Sequence, residues 1–452
     1  MLGLLVQQAH AEPSGTDTGV QASNYVSDLM QLYRESRLED PRILSAYAQA
    51  QAGKDRQREA LGALLPQINA GASLNRNRRD SKGLPLEYYN NERYNISLSQ
   101  HLYNKAAWEN YQKFKERASQ GVSEAEDALS EATVDLAQRY FAALAADDEL
   151  ELVMAERRAT QKNLDQVNAL YKKQMAMITD VLDLQARVDT LAASEVEARN
   201  QVRLSRQELT ELIGRPVSER LGRVREDIEL QVPAESLEAW VDRALASNPA
   251  LKARESALLA ANAALREGKG GHYPSLSLNL SGLRSNVGYD NSMTPRYDNY
   301  VASLGVQVPI YSGGSTSARV RALHGDQITA EQELEAMRRQ VVKETTNAYL
   351  TAQSSVEKVR ASRNALESAE KATIASERGF QFGVVNSVDV LTSVKNEYEA
   401  RRNLLKAQYD FMTNLLVLNR WAGALSERTI ESVNVWLARS EESRAFRRNA
   451  PE

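Results

Sequence analysis

The chain has 452 residues, 26% of them charged and 42% hydrophobic, with a formal net charge of −4 and no cysteine. No run of about 18 apolar residues is present, which excludes a transmembrane helix, and the slight acidity leaves no broad basic face for nucleic acid. Without thiols the chain has no disulfides or thiolate metal sites, a composition that suits an envelope protein.

In chain order, Met1 to Val6 is a short apolar run, and Ala9-His10-Ala11 before Glu12 has the small-x-small form of a signal-peptidase site. Residues 1–11 are therefore expected to be the remainder of a signal peptide, and the protein to be exported. A helical segment over about 27–64 ends at Leu65-Pro66, where proline stops the helix and opens a strand. Strands are expected at about 67–77 and 93–103. In the first, Ile68, Ala70, Ala72 and Leu74 alternate with Gln67, Asn69, Gly71, Ser73 and Asn75. In the second, Tyr94, Ile96, Leu98 and Leu102 alternate with Asn95, Ser97, Ser99 and His101. Long proline-free helices over about 106–171 and 180–213 follow, the first reaching about 100 Å at 1.5 Å per residue. Val181, Leu184, Val188, Leu191, Ala198, Val202, Leu209 and Leu212 fall on a coiled-coil seam interrupted by Glu195 and Ser205.

The same series then recurs. Pro41, Pro66, Leu102 and Tyr103 find counterparts 208 positions later in Pro249, Pro274, Ile310 and Tyr311. After one inserted residue the spacing becomes 209, pairing Tyr140 with Tyr349, Asp180 with Asp389 and Gly214 with Gly423. The chain thus holds two copies of one structural unit, residues 12–220 and 221–425. The second copy is expected to contain helices at about 236–272, 315–380 and 389–422 and strands at about 275–286 and 300–311. Residues 426–452 form a charged tail without clear periodicity, expected either to wrap the helices or to stay disordered.

All four strands put Ser, Asn, Gln and Gly on one side and apolar residues on the other, over lengths that match a tilted bilayer crossing. They read as membrane strands with a polar lumen. Tyr88, Tyr89, Tyr94, Tyr289, Tyr297 and Tyr300 cluster near the strand ends, where an aromatic girdle sits. Four strands cannot close a membrane barrel, since an open edge in lipid leaves backbone groups unpaired. Closure must come from other copies: two chains supply eight strands and three supply twelve, and the residues alone do not choose. The fold class is mainly α with a transmembrane β-barrel part, each repeat being a strand pair plus a long coiled-coil hairpin.

"SDLMQLYRESRLEDP" from Ser27, "LLPQINAGA" from Leu64, "VPIYSGG" from Val308 and "ITDVLDLQARVDTLAASEVEARN" from Ile178 carry a resemblance to the TolC family of outer-membrane channel proteins. The resemblance covers nearly the whole chain. It implies a homotrimer with a twelve-stranded barrel in the outer-membrane lipid, continuing as a hollow periplasmic α-helical barrel that tapers to an entrance at the hairpin turns. It also implies a passive exit duct in the cell outer membrane of a Gram-negative bacterium. Its partners would be an inner-membrane ABC exporter or a proton-driven efflux pump, joined through a periplasmic adaptor that grips the tips. The likeness around Ile178 to Asn200 favours type I protein secretion, with small-molecule efflux as the alternative.

The tips map onto 171–181 and 380–390, closing at Asp180 and Asp389. Each Asp is expected to act as a helix N-cap. The functional reading has three copies of Asp389 form an acidic ring at the narrowest point, favouring cations and binding divalent metals. In the family's best-known pattern a tyrosine, arginines and a second aspartate latch the entrance. The matching positions here are Phe380, Val385, Gln408 and Thr392, with Gly383 in the turn, so closure is expected either to rest more on apolar packing around Phe380 and Val385 or to be weaker.

No enzyme is expected. His10, His101, His272 and His324 are scattered, and no nucleophile elbow or phosphate-binding glycine loop is present; no cofactor is implied. A rival of another class, a structural coiled-coil protein of the envelope, explains the helices but not the strand pairs.

Overall fold

The computed structural model describes residues 26–80, 83, 85–225, 234–288 and 292–438. The expected signal-peptide remainder at 1–11, and Tyr289 of the expected girdle, lie outside them. In chain order the elements are β1 (Val26–Ser27), α1 (Leu29–Glu39), α2 (Pro41–Gly62), β2 (Gln67–Arg79), β3 (Glu87–Asn104), α3 (Lys105–Lys172) and α4 (Ile178–Ile213). Then come β4 (Arg220–Leu221), β5 (Arg223–Val224), α5 (Leu237–Ser247), α6 (Pro249–Gly270), β6 (Ser275–Val287), β7 (Met293–Gln307), α7 (Ser315–Gln381), α8 (Ser387–Trp421), α9 (Glu427–Asn434) and β8 (Leu437–Ala438).

Several boundaries differ from the sequence expectation, each for a local reason. The helices placed at 27–64 and 236–272 are each broken in two, because Asp40 and Asn248 precede prolines and take extended ψ values of 115° and 123°. Both residues then cap the new helix, Asp40 accepting from the Arg42 N–H and Asn248 from the Leu251 N–H. The strand expected at 93–103 begins earlier, at Glu87, because its register with β2 extends to Arg79. The strand placed at 300–311 runs instead from Met293 to Gln307, ending where Pro309 has no N–H to give the ladder. The tail is ordered at its start. Ile430 and Val433 of α9 are buried, and β8 pairs with β5.

The long strands form one antiparallel sheet in the order β2-β3-β6-β7, leaving β2 and β7 as open edges. Gln67 stands opposite Ser99, Ser99 opposite Asn279 and Asn279 opposite Ser303, so the polar side chains of all four strands share a face. On the other face Ile68, Leu74, Ile96, Leu304 and Val306 are all more than half exposed. Apolar surface of this extent on a sheet requires lipid.

From this sheet α3 and α4 run out and back as one hairpin, and α7 and α8 as another, with α3 packed on α8 where the hairpins meet. Their shared core lies midway along the stem. Leu29 and Leu32 of α1, Leu136, Tyr140 and Phe141 of α3, Leu209 of α4, Phe411 and Met412 of α8 and Val433 of α9 bury one another. Tyr140 is fully buried and its hydroxyl accepts from the Gly222 N–H at 3.0 Å, tying the short strands to α3. Tyr409 donates to Asp148, which also meets Arg223 at 3.3 Å. Burial pushes both the Asp148 carboxyl and the Tyr409 phenol above their ordinary ranges.

The two repeats end on equivalent left-handed glycines, Gly214 at φ 73° and Gly423 at φ 64°, but in different surroundings. A Cβ on Gly214 meets only Glu39 at 3.8 Å, whereas one on Gly423 stands 2.5 Å from the Ser247 carbonyl oxygen. Gly214→Ala should cost about 1 kcal/mol through backbone strain alone, and Gly423→Ala at least about 1 kcal/mol more, since main chain must move. Thermal unfolding of the two variants side by side measures the difference.

Candidate functional site at the hairpin tips

Each hairpin turns within five residues, 173–177 and 382–386, between elements that are otherwise unbroken. The turns share one backbone solution. Met175 N–H donates to Leu170 O and Val384 N–H to Gly379 O, both at 2.9 Å. The left-handed position is Gly383 at φ 73° in the second repeat, but Gln174 at φ 62° in the first. A non-glycine residue there carries a strain of roughly 1–2 kcal/mol.

The aspartates do not occupy the expected cap positions. The N-caps are Met177 and Asn386, and Asp180 and Asp389 each lie three residues further on, in the first turn. Asp180 reaches back to accept from the Met177 N–H at 3.2 Å. Asn386 caps α8 through the Asp389 N–H at 2.8 Å, so the exposed Asp389 carboxylate bonds to no described residue. One carboxylate is engaged and the other has no described partner, although both gain from the positive end of a helix.

Phe380 is partly buried and packs with Leu391 against Leu164, Val167, Leu184 and Val188, the apolar seam of the first hairpin. It therefore bridges the hairpins. Val385 lies over Gly379, whose built Cβ would stand 2.5 Å from a Val385 methyl, so the residue closes its own turn. Thr392 is exposed and donates to Val388 O at 2.9 Å, an ordinary helical back-bond. Gln408 is buried but stands 21 residues along α8 from Ser387, about 30 Å from the turn. The structure brings Phe380, Gly383, Val385 and Asp389 together and leaves Gln408 out. The turns also expose Met175, Met177, Phe382 and Val384 to at least 67%.

A second connection between the hairpins escaped the sequence reading. Glu156 of α3, 1% exposed, accepts from Arg187 of α4 and from Arg402 of α8, the latter at 3.1 Å. Arg402 also holds Glu149 at 2.7 Å. Glu195, an interruption of the apolar seam, joins Arg157 and Arg199, both at 2.6 Å. The signal was available: buried Val153, Glu156, Thr160, Leu164 and Val167 follow three and four spacing, so Glu156 is a charge on a seam and needs partners. Among the described residues no group of His, Asp or Glu has the makings of a metal site, and no helix is long and apolar enough to cross a membrane.

The chain matches the family model described as outer membrane efflux protein over residues 32–215 and 240–424. It is 31% identical over 416 residues to outer membrane protein TolC of Vibrio cholerae, covering 91% of this chain and 94% of that protein. It is 28% identical to the alkaline protease secretion protein AprF of Pseudomonas aeruginosa, covering 87% and 84%. In fold it is similar to the Campylobacter jejuni CmeC outer membrane channel, with a TM-score of 0.77 at 13% identity, covering 96% and 98%. The chain belongs to the outer membrane efflux protein family, a family of Gram-negative outer-membrane channels that are not enzymes, and it serves as an exit duct through that membrane.

Proposed function

We propose that three copies of the chain pool their strands into one twelve-stranded barrel and carry cargo from an inner-membrane ABC exporter, through a periplasmic adaptor docked on the hairpin tips, in type I protein secretion. The observation that carries this reading is the open four-stranded sheet with an exposed apolar face. Its edges β2 and β7 can be satisfied in lipid only by β7 and β2 of neighbouring copies. Eight strands from two copies enclose little beyond side chains, whereas twelve leave a water-filled lumen. The cargo class is supported by two relatives named for protease secretion, AprF and PrtF. A small-molecule duct working with a proton-driven pump is the second reading, favoured by the efflux description of the family and by the efflux protein BepC.

Closure of the entrance is assigned to the Phe380 contact at the tip and the Glu156–Arg402 contact above it, since both join the second hairpin to the first. Asp389 is assigned to cation attraction at the narrowest point, where symmetry would present it in every copy.

Electron cryo-microscopy of the detergent-extracted protein tests the assembly. Threefold particles with a long hollow stem are expected; soluble rods without a barrel would refute it. Phe380→Ser with Val385→Ser removes partial apolar burial worth roughly 1–2 kcal/mol at the aromatic position, so single-channel conductance should rise; a value equal to the parent's would count against apolar closure. Asp389→Asn should raise the concentration of divalent cation that blocks the pore roughly tenfold, about 1.4 kcal/mol of lost attraction, as read from planar-bilayer titrations. Arg402→Leu should lower stability by roughly 1–3 kcal/mol by removing a partner from buried Glu156, measured by denaturant unfolding.

A further inference from the structure

On the apolar face of the sheet the side chains change character towards the end remote from the helices. Leu74 gives way to Arg76 and Arg78 on β2, Tyr94 to Glu92 on β3, Gly282 to Arg284 on β6 and Tyr300 to Asp298 and Arg296 on β7. Across the sheet as a whole the change does not follow the strand register. Leu74 stands opposite Glu92 and Tyr94 opposite Arg284, so the boundary steps by two residues between β2 and β3 and again between β3 and β6, and stays level between β6 and β7, where Gly282 faces Tyr300 and Arg284 faces Asp298. A plane cutting strands tilted by about 40° produces such a diagonal. The boundary therefore marks one level across the sheet, with Tyr94 and Tyr300 at its edge as interfacial aromatics.

Above that level the outward face carries Arg76, Arg78, Arg284 and Arg296 against Glu92 and Asp298. Both acids are already engaged, Asp298 by Arg284 at 2.7 Å and Glu92 by Arg296 at 2.8 Å. Arg76 and Arg78 are exposed and form no ion pair with any described residue. Asp80, just past the end of β2, is an exposed carboxylate without an ion pair among the described residues, so each copy brings four arginines against three carboxylates and closing the barrel keeps that excess.

We propose that this outward arginine rim binds the phosphate groups of the lipid that forms the outer leaflet, with Arg76 and Arg78 as its free contacts. Guanidinium is suited to the role, as its planar fork meets phosphate oxygens in pairs and it keeps its charge at any working pH. The inference rests on the membrane-barrel reading. It predicts that the protein carries a layer of phosphorylated lipid at its outer edge, selected by charge.

The test uses the full-length protein extracted from outer membranes in neutral detergent, with native mass spectrometry reading bound lipid A. Diphosphorylated lipid A should bind, and lipid A stripped of both phosphates should bind at least tenfold more weakly. R76Q/R78Q should weaken binding of the diphosphorylated form about 30-fold, the attraction of two basic side chains to an anionic lipid surface. R93Q, at a neighbouring level on the polar face, should bind as the parent does. Equal binding of the two lipids by the parent protein would overturn the proposal without reliance on any variant. Equal loss in R93Q and R76Q/R78Q would overturn it as well. Absence of a detergent-stable oligomer in the same spectra would sink the barrel reading instead, so the two failures are distinguishable.

Discussion

Every unpaired backbone N–H and C=O in hydrocarbon costs several kcal/mol, and this single constraint organises the molecule. A four-stranded sheet with edges β2 and β7 cannot stand in lipid alone. The chain alternates residue character with period two along four strands, and then commits most of its length to helices that satisfy their own backbone. The apolar face of the sheet, exposed in the isolated chain, has its natural solvent in the bilayer.

Below the sheet the problem changes from backbone to side chains. A hairpin of this length has too much surface for one compact core, so it is held at separate levels. The core around Tyr140 and Phe411 fixes the middle, the Glu156 contacts join three helices nearer the turns, and Phe380 seals the last level. The middle is where α1, α9 and the short strands add their weight. The two lower contacts involve few residues each, whereas the middle buries many, so the stem is held least firmly towards its turns.

Much of this was legible in the sequence because duplication and alternation are periodic signals. The pairing of Pro66 with Pro274, and the run Ile68, Ala70, Ala72, Leu74, state the repeat and the strand directly. Helix breaks at Asp40-Pro41 and Asn248-Pro249 were readable from proline's effect on the preceding residue, but the helical pattern on either side masked them. The tip aspartates were placed one turn too far out because a cap is decided by backbone angles, and Asn386 competes for the position with Asp389. Gln408 was drawn into the entrance by correspondence with a family pattern, whereas its distance along α8 separates it. The seam spacing marks Glu156 as a charge that needs partners, but that Arg402, 246 residues away, is one of them depends on which helices meet, and no local signal states that.

The single inserted residue between the repeats has a mechanical meaning. β3 passes into α3 without a gap, Asn104 ending the strand and capping the helix. β7 reaches α7 only after seven residues, among them Gly313 and Gly314 in the left-handed region, where an added Cβ would meet nothing within 4 Å. An extra residue inside a helix would have rotated its apolar stripe by about 100°; in that linker it is absorbed. The first hairpin thus continues directly from the sheet, while the second joins it through a linker and takes its anchorage from α6, where Arg319 meets Glu267 at 2.8 Å and Thr316 lies against Gly271.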